Sequence, residues 1–167
     1  MRTKDLDRDG GVVSPQRARE FAEVLTPRWV VDKMLDEIPG ASDPHKTVFD
    51  PGCGRGAFIV AALERKLLRA ASADERLWAC RSCYGIDIQY DNVQTTRERC
   101  AQLAALFGVP YFDALFIFTR NIIHGDFLFF PQIARIYDWT ADVWTTLADM
   151  MREGSDNDTG KERRPGI

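Results

Sequence analysis

The sequence predicts an α/β fold: a partial parallel sheet flanked by helices, with further helices at the N-terminus. Two observations carry that prediction. Short β-rich runs alternate with segments of helical periodicity, an order that implies βαβ units and parallel strands. In addition, a glycine-rich turn joins the first run directly to a helix, and an acid closes the second run. That is the arrangement of a Rossmann-like unit.

Residues 1–13, rich in Asp, Arg and Gly, read as a flexible arm. Residues 14–40 form an N-terminal helical segment. Ser14 can cap it and Pro15 fits the first helical position. Thr26-Pro27 repeats that start signal. Trp29, Val30, Met34, Leu35 and Ile38 then recur at helical spacing until Pro39-Gly40. Residues 45–150 make up the main domain. Within it, 47–50 is strand-like and 57–69 is helical, with charges on one face. Residues 70–81 read as a loop with about one turn of helix. Residues 83–88 form a buried strand ending in an acid. Asp91 or Asn92 caps a helix that runs to Phe107, where Gly108 stops it. The aromatic stretch 110–119 is helical, and 121–124 is a third strand. Residues 132–151 carry Trp139 and Trp144 with weak periodicity. The polar tail 152–167 reads as disordered.

The 167 residues are the size of one domain, with 45% hydrophobic and 28% charged residues. A net charge of −3 excludes attachment to nucleic acid by bulk positive charge, leaving only a local basic strip. No apolar run is long enough to span a bilayer, and the start lacks a signal-peptide core. Cys53, Cys80, Cys83 and Cys100 therefore read as reduced thiols of a cytoplasmic protein.

Chemistry concentrates in Phe49-Asp50-Pro51-Gly52-Cys53-Gly54-Arg55-Gly56-Ala57-Phe58. Glycines between strand and helix let backbone approach a ligand, and the helix start presents free N–H groups to it. A plain tight turn would look the same. Asp87, closing the second strand, stands where an acid accepts hydrogen bonds from ribose hydroxyls, although it could equally be a helix-capping acid. Gly125-Asp126-Phe127 follows the third strand at the same edge. Three loops at one edge form a ligand crevice for an adenosine-containing molecule. No lysine follows the glycines, which excludes a phosphate-binding P-loop. The dinucleotide pattern fails at position 59, which is Ile. Asp50 would repel a pyrophosphate, but it suits the ammonium and sulfonium of S-adenosylmethionine (SAM).

The segment from Phe49 to Phe58 resembles the first SAM-binding motif of the N6-adenine DNA methyltransferases, typically F-D-P-A-C-G-S-G-x-F. Gly52 and Arg55 are the departures. Glu23-Val24-Leu25-Thr26-Pro27, Tyr84-Gly85-Ile86-Asp87-Ile88 and Asn121-Ile122-Ile123-His124-Gly125-Asp126-Phe127 resemble, in order, three further motifs of that family. Together they cover 23–128, the SAM-binding half alone, as in short modification subunits of restriction-modification systems. The resemblance implies a Rossmann-like SAM-dependent methyltransferase domain with DNA as partner. Thr26 and Pro27 would help place the methionine carboxylate, in a segment that closes the cofactor site. Asp50 would face the methionine ammonium, with Gly52, Gly54, Gly56 and Phe58 close to the cofactor. Asp87 would bind the ribose, Ile88 would pack on adenine, and Asp126 would accept from its exocyclic amine beside Phe127. Phe58 and Ile88 also read as core residues, and Asp126 as a solvated turn acid.

One family element is missing. The catalytic [NDS]-P-P-[YFW] loop accepts hydrogens from adenine N6 and stacks on the flipped base, yet no Pro-Pro pair occurs here. Catalytic residues are therefore unknown. The alternative reading is a non-catalytic SAM-binding or assembly module, and a less favoured one is a dinucleotide-binding oxidoreductase fragment.

Lesser signals read structurally. Cys80-x-x-Cys83 lacks a second ligand pair for zinc, so no metal is expected. His45 and His124 stand isolated. Arg65, Lys66, Arg69, Arg97 and Arg99 look like solvated helix faces with i,i+4 pairs. The aromatics between Phe127 and Trp144 would cover an open sheet edge, or mediate self-association or partner binding.

Overall fold

Apolar alternation in three short runs builds the centre of the molecule, seen here in a computed structural model that describes residues 26–129 and 134–156. Strands β1 (Val48–Asp50), β2 (Cys83–Asp87) and β3 (Ile122–His124) form a parallel sheet in that spatial order. Val48 pairs with Cys83 and Asp50 with Gly85; Gly85 pairs with Ile122 and Asp87 with His124. Among the described residues no further strand joins either outer edge. The expected arm 1–13, the first helix of 14–25 and residues 157–167 of the expected disordered tail lie outside the described residues, whereas residues 152–156 of that tail are helical, continuing the helix that begins at Leu147.

Successive strand residues point to opposite faces. Cys83 and Ile122 face a core built with α2 (Ala57–Arg69), α3 (Ala73–Arg81), α4 (Tyr90–Leu106) and α5 (Tyr111–Asn121). Tyr84, Ile86 and Ile123 face the other way, onto Ile136 and Leu147. Those two belong to an antiparallel hairpin, β4 (Arg135–Asp138) with β5 (Val143–Thr146), and to helix α6 (Leu147–Asp156). The weakly periodic C-terminal stretch is thus the cover of the second sheet face. Trp139 packs in that cover, while Trp144 is 46% exposed. The hairpin turn is made by Asp138, whose Oδ1 accepts from Thr140 N and Ala141 N, and by Asp142 in the left-handed region.

Helix α1 (Arg28–Glu37) docks on α2 through Val31 and Leu35, against Ala61 and Ala62. Trp29, Met34 and Ile38, part of the sequence periodicity, are exposed instead. Ion pairs Arg28–Glu64 (2.7 Å) and Arg65–Asp36 (2.6 Å) flank the contact.

Three local expectations need correction. Residues 73–81 are a full helix, because Ser72 Oγ accepts from Glu75 N (3.1 Å) and Glu75 reaches back to Ala71 N. Asp91 and Asn92 lie inside α4, whose N-cap is Gln89 without a side-chain cap; Asp87 Oδ1 accepts from Gln89 N at 2.8 Å. The basic residues are not all solvated. Lys66 is fully buried, donating to the Asp43 and Lys46 carbonyls and to Ser82 Oγ. Arg97 Nε donates to Ile122 O (2.8 Å) and Arg99 to Arg55 O (2.6 Å). These cations satisfy carbonyls that turns and a helix end leave open. Among the described residues no helix is long and apolar enough to cross a membrane.

Candidate functional site

Parallel register brings the C-terminal ends of β1, β2 and β3 side by side, so Asp50, Asp87 and His124 line one edge. The glycine loop between β1 and α2 folds over that edge. Cys53 N donates to Ile86 O (3.0 Å), and Gly54 N donates to Asp87 Oδ2 (2.8 Å). From α4, Thr96 Oγ1 donates to Gly54 O (2.9 Å). The loop is clamped from two sides before any ligand arrives.

Its glycines differ in what they require. Gly56 has φ +82° as the N-cap of α2, and a Cβ there would come within 2.7 Å of Thr96 Cγ2. Gly54 sits at φ +49° with open space beyond it. At Gly52 a Cβ would meet nothing within 4 Å. The alanine usual there in the resembling motif would therefore fit, and this departure leaves the loop geometry intact. Gly85, in mid-strand, was missed by sequence reasoning. A Cβ there would fall 2.4 Å from Ile59 Cδ1 and 3.0 Å from Cys53 Cβ. A glycine inside an apolar strand was the signal for that close approach.

The electrostatics centre on two acids. Asp50 Oδ1 accepts only a long bond from Gly52 N (3.3 Å). Burial, and then the Asp87 charge, push its carboxyl up from the usual aspartate range. Among the described residues neither Asp50 nor Asp87 forms an ion pair. Asp87 bonds Gly54, Gln89 and, weakly, Asn92, so it both ties the loop and fixes the chain entering α4. A carboxylate offers about four acceptor positions, so capacity for a ligand hydroxyl remains. Two neighbouring acids and a converging backbone loop favour a ligand that carries positive charge and hydroxyl donors.

The other expected site residues divide. Ile88 is 51% exposed beside Asp87, which removes the core reading for it. Phe58 packs with the α1–α2 cluster, as a core residue would. Asp126 Oδ1 accepts from Leu128 N (2.9 Å) and Phe129 N, making its own turn. Phe127 meets Phe49 at a tilt, ring centroids 5.6 Å apart, on the sheet face of Tyr84 and Ile86. Pro27 O receives Val30 N and Val31 N at the start of α1. Neither Thr26 nor Pro27 hydrogen-bonds the glycine loop. Cys80 and Cys83 are buried, with thiols pushed up by desolvation to about 12 and about 11. No metal-holding group of three His, Cys, Asp or Glu exists among the described residues.

No protein-family model matches the chain. Over 67 residues, 40% of its length, it is 40% identical to the type II restriction enzyme and methyltransferase RM.BcgI of Heyndrickxia coagulans. That stretch is related to a restriction-modification methyltransferase. The chain spans 10% of that relative's length. It also aligns with a crystal structure described as the modification subunit of a type I restriction enzyme from Vibrio vulnificus YJ016. Identity is 22%, the TM-score is 0.47, and the alignment covers 70% of this chain and 22% of the other.

Proposed function

We propose that this chain is the SAM-binding part of a cytoplasmic restriction-modification DNA methyltransferase of the adenine-N6 type, in a Rossmann-like domain. The observation that carries the reading is the pair Asp50–Asp87, without an ion-pair partner among the described residues and joined to the glycine loop through Gly52 N–Asp50 Oδ1 and Gly54 N–Asp87 Oδ2. When bound, SAM supplies an activated methyl group.

The residues present fit that group. Asp50 takes the ammonium, which neutralises a carboxylate now held under strain from burial and from Asp87. Asp87 accepts from the ribose hydroxyls while keeping the loop in place. Gly52 and Gly54, with open space beyond them, admit the cofactor close to the backbone, Gly56 supports that loop against Thr96, and exposed Ile88 offers an apolar surface to adenine. Asp126 Oδ2 has no hydrogen bond among the described residues and is open to the exocyclic amine. Thr26 and Pro27, at the start of a helix fixed on α2, would reach the methionine carboxylate. Phe58 supports from the packed side.

A second reading has its own support. These 167 residues contain no Pro-Pro-aromatic loop, so the isolated chain binds donor but does not transfer methyl, and acts on DNA only with a partner that brings the catalytic loop. Equilibrium dialysis with tritiated SAM, followed by transfer to unmethylated DNA, tests both readings. Donor retention without transfer is expected. No retention at millimolar SAM sinks the proposal, and transfer by the chain alone sinks the second reading.

A further inference from the structure

Three residues at the sheet rim form a connected cluster: Ile88, Tyr90 and His124. The functional reading uses only the first. Tyr90 opens α4 two residues after Ile88 and stands 59% exposed, its hydroxyl tied to Gln94 one turn along the helix. The His124 ring meets the Tyr90 ring edge-on, with centroids 5.8 Å apart at 90°. His124 Nε2 lies 2.9 Å from Ile88 O. A carbonyl can only accept, so this nitrogen carries the hydrogen. One hydrogen bond and one ring contact thus hold two apolar side chains in the open, directly beyond Asp87.

A ribose whose hydroxyls bond Asp87 carries its base one sugar-length further on, over residues 88–90. A planar ring with apolar faces matches what these side chains present. We propose that Tyr90 is a second wall of the site for the ligand's purine ring, and that His124 is a positioning residue which sets that wall through Ile88 O and the Tyr90 ring. This inference rests on the SAM reading above.

The test is calorimetric titration of the full chain with S-adenosylhomocysteine, alongside melting curves. Tyr90→Ala weakens binding about tenfold, whereas Tyr90→Phe, which keeps the ring, stays within about threefold. His124→Leu weakens binding, and His124→Gln, which keeps an N–H donor, restores it. Melting temperatures stay near that of the wild type, because both side chains are exposed. Wild-type affinity in Tyr90→Ala overturns the inference alone. Failure of His124→Gln to restore binding overturns the positioning role. A wild-type chain that binds nothing overturns the functional reading itself.

Discussion

Gly52 lies in the glycine loop and Gly85 in the strand beneath it, and they carry opposite expectations. Gly85→Ala forces a methyl into Ile59 and Cys53, an overpacking that costs roughly 1–3 kcal/mol. Gly52→Ala meets open space and stays within about 0.5 kcal/mol of wild type. Urea denaturation of both variants checks the contrast, and equal stabilities would contradict the described loop. Asp50 gives a second residue-scale prediction. Its folded pKa is raised, so its contribution to stability is complete below the ordinary aspartate pKa. That contribution is lost as pH climbs through the raised value. Asp50→Asn therefore melts higher than wild type at neutral pH, while binding cationic cofactor more weakly. A lower melting temperature would show that the acid is structural. The gathering of Asp50, Asp87 and the glycine loop at one sheet edge was legible in the sequence because strand ends and glycines coincide there. Thr96, Arg99 and His124 were not, because each acts through a contact distant in sequence.

At the scale of elements, Asn121 joins four of them. Its Nδ2 donates to the carbonyls of Cys80, Arg81 and Cys83, and its Oδ1 accepts from Trp139 Nε1 at 2.7 Å. One buried amide ties the ends of α3 and α5 to the start of β2 and to the hairpin. Asn121→Ala leaves buried groups unpaired and costs roughly 2–3 kcal/mol. Chemical denaturation checks the loss, and a change under about 0.5 kcal/mol would contradict the network. The sequence placed α2, α4, α5 and all three sheet strands, because their periodicity is strong and Gly108 stops α4. It missed α3, whose apolar residues are sparse, although Ser72 and Glu75 signalled the capping box. It also missed the β4–β5 hairpin, whose turn uses Asp138 and Asp142 in place of glycine.

Across the whole molecule, four thiols lie buried. Desolvation raises Cys83 to about 11, Cys80 to about 12, and Cys100 well above the ordinary thiol value of 9.0. The folded state then holds protons that the unfolded state releases. The associated stability is full below pH 9 and is lost as pH rises towards 11 and 12. Melting temperature should fall over that window, and native protein at pH 8 should resist a thiol reagent until it unfolds. Rapid modification of all four thiols in the folded protein would contradict the packing of the core between the sheet and helices α2 to α5.

The central claim is that Asp50 and Asp87, held by the glycine loop, bind a cationic adenosine cofactor. Calorimetry of the wild type, Asp50→Asn and Asp87→Ala with SAM tests it most directly. The wild type should bind SAM at a single site at submillimolar concentration. Loss of charge-assisted bonds worth about 1.5–3 kcal/mol each weakens both variants by at least about tenfold while they remain folded. Wild-type affinity should also fall as pH drops through the raised Asp50 pKa. An unresponsive wild type, or variants that bind as well as it does, would contradict the claim.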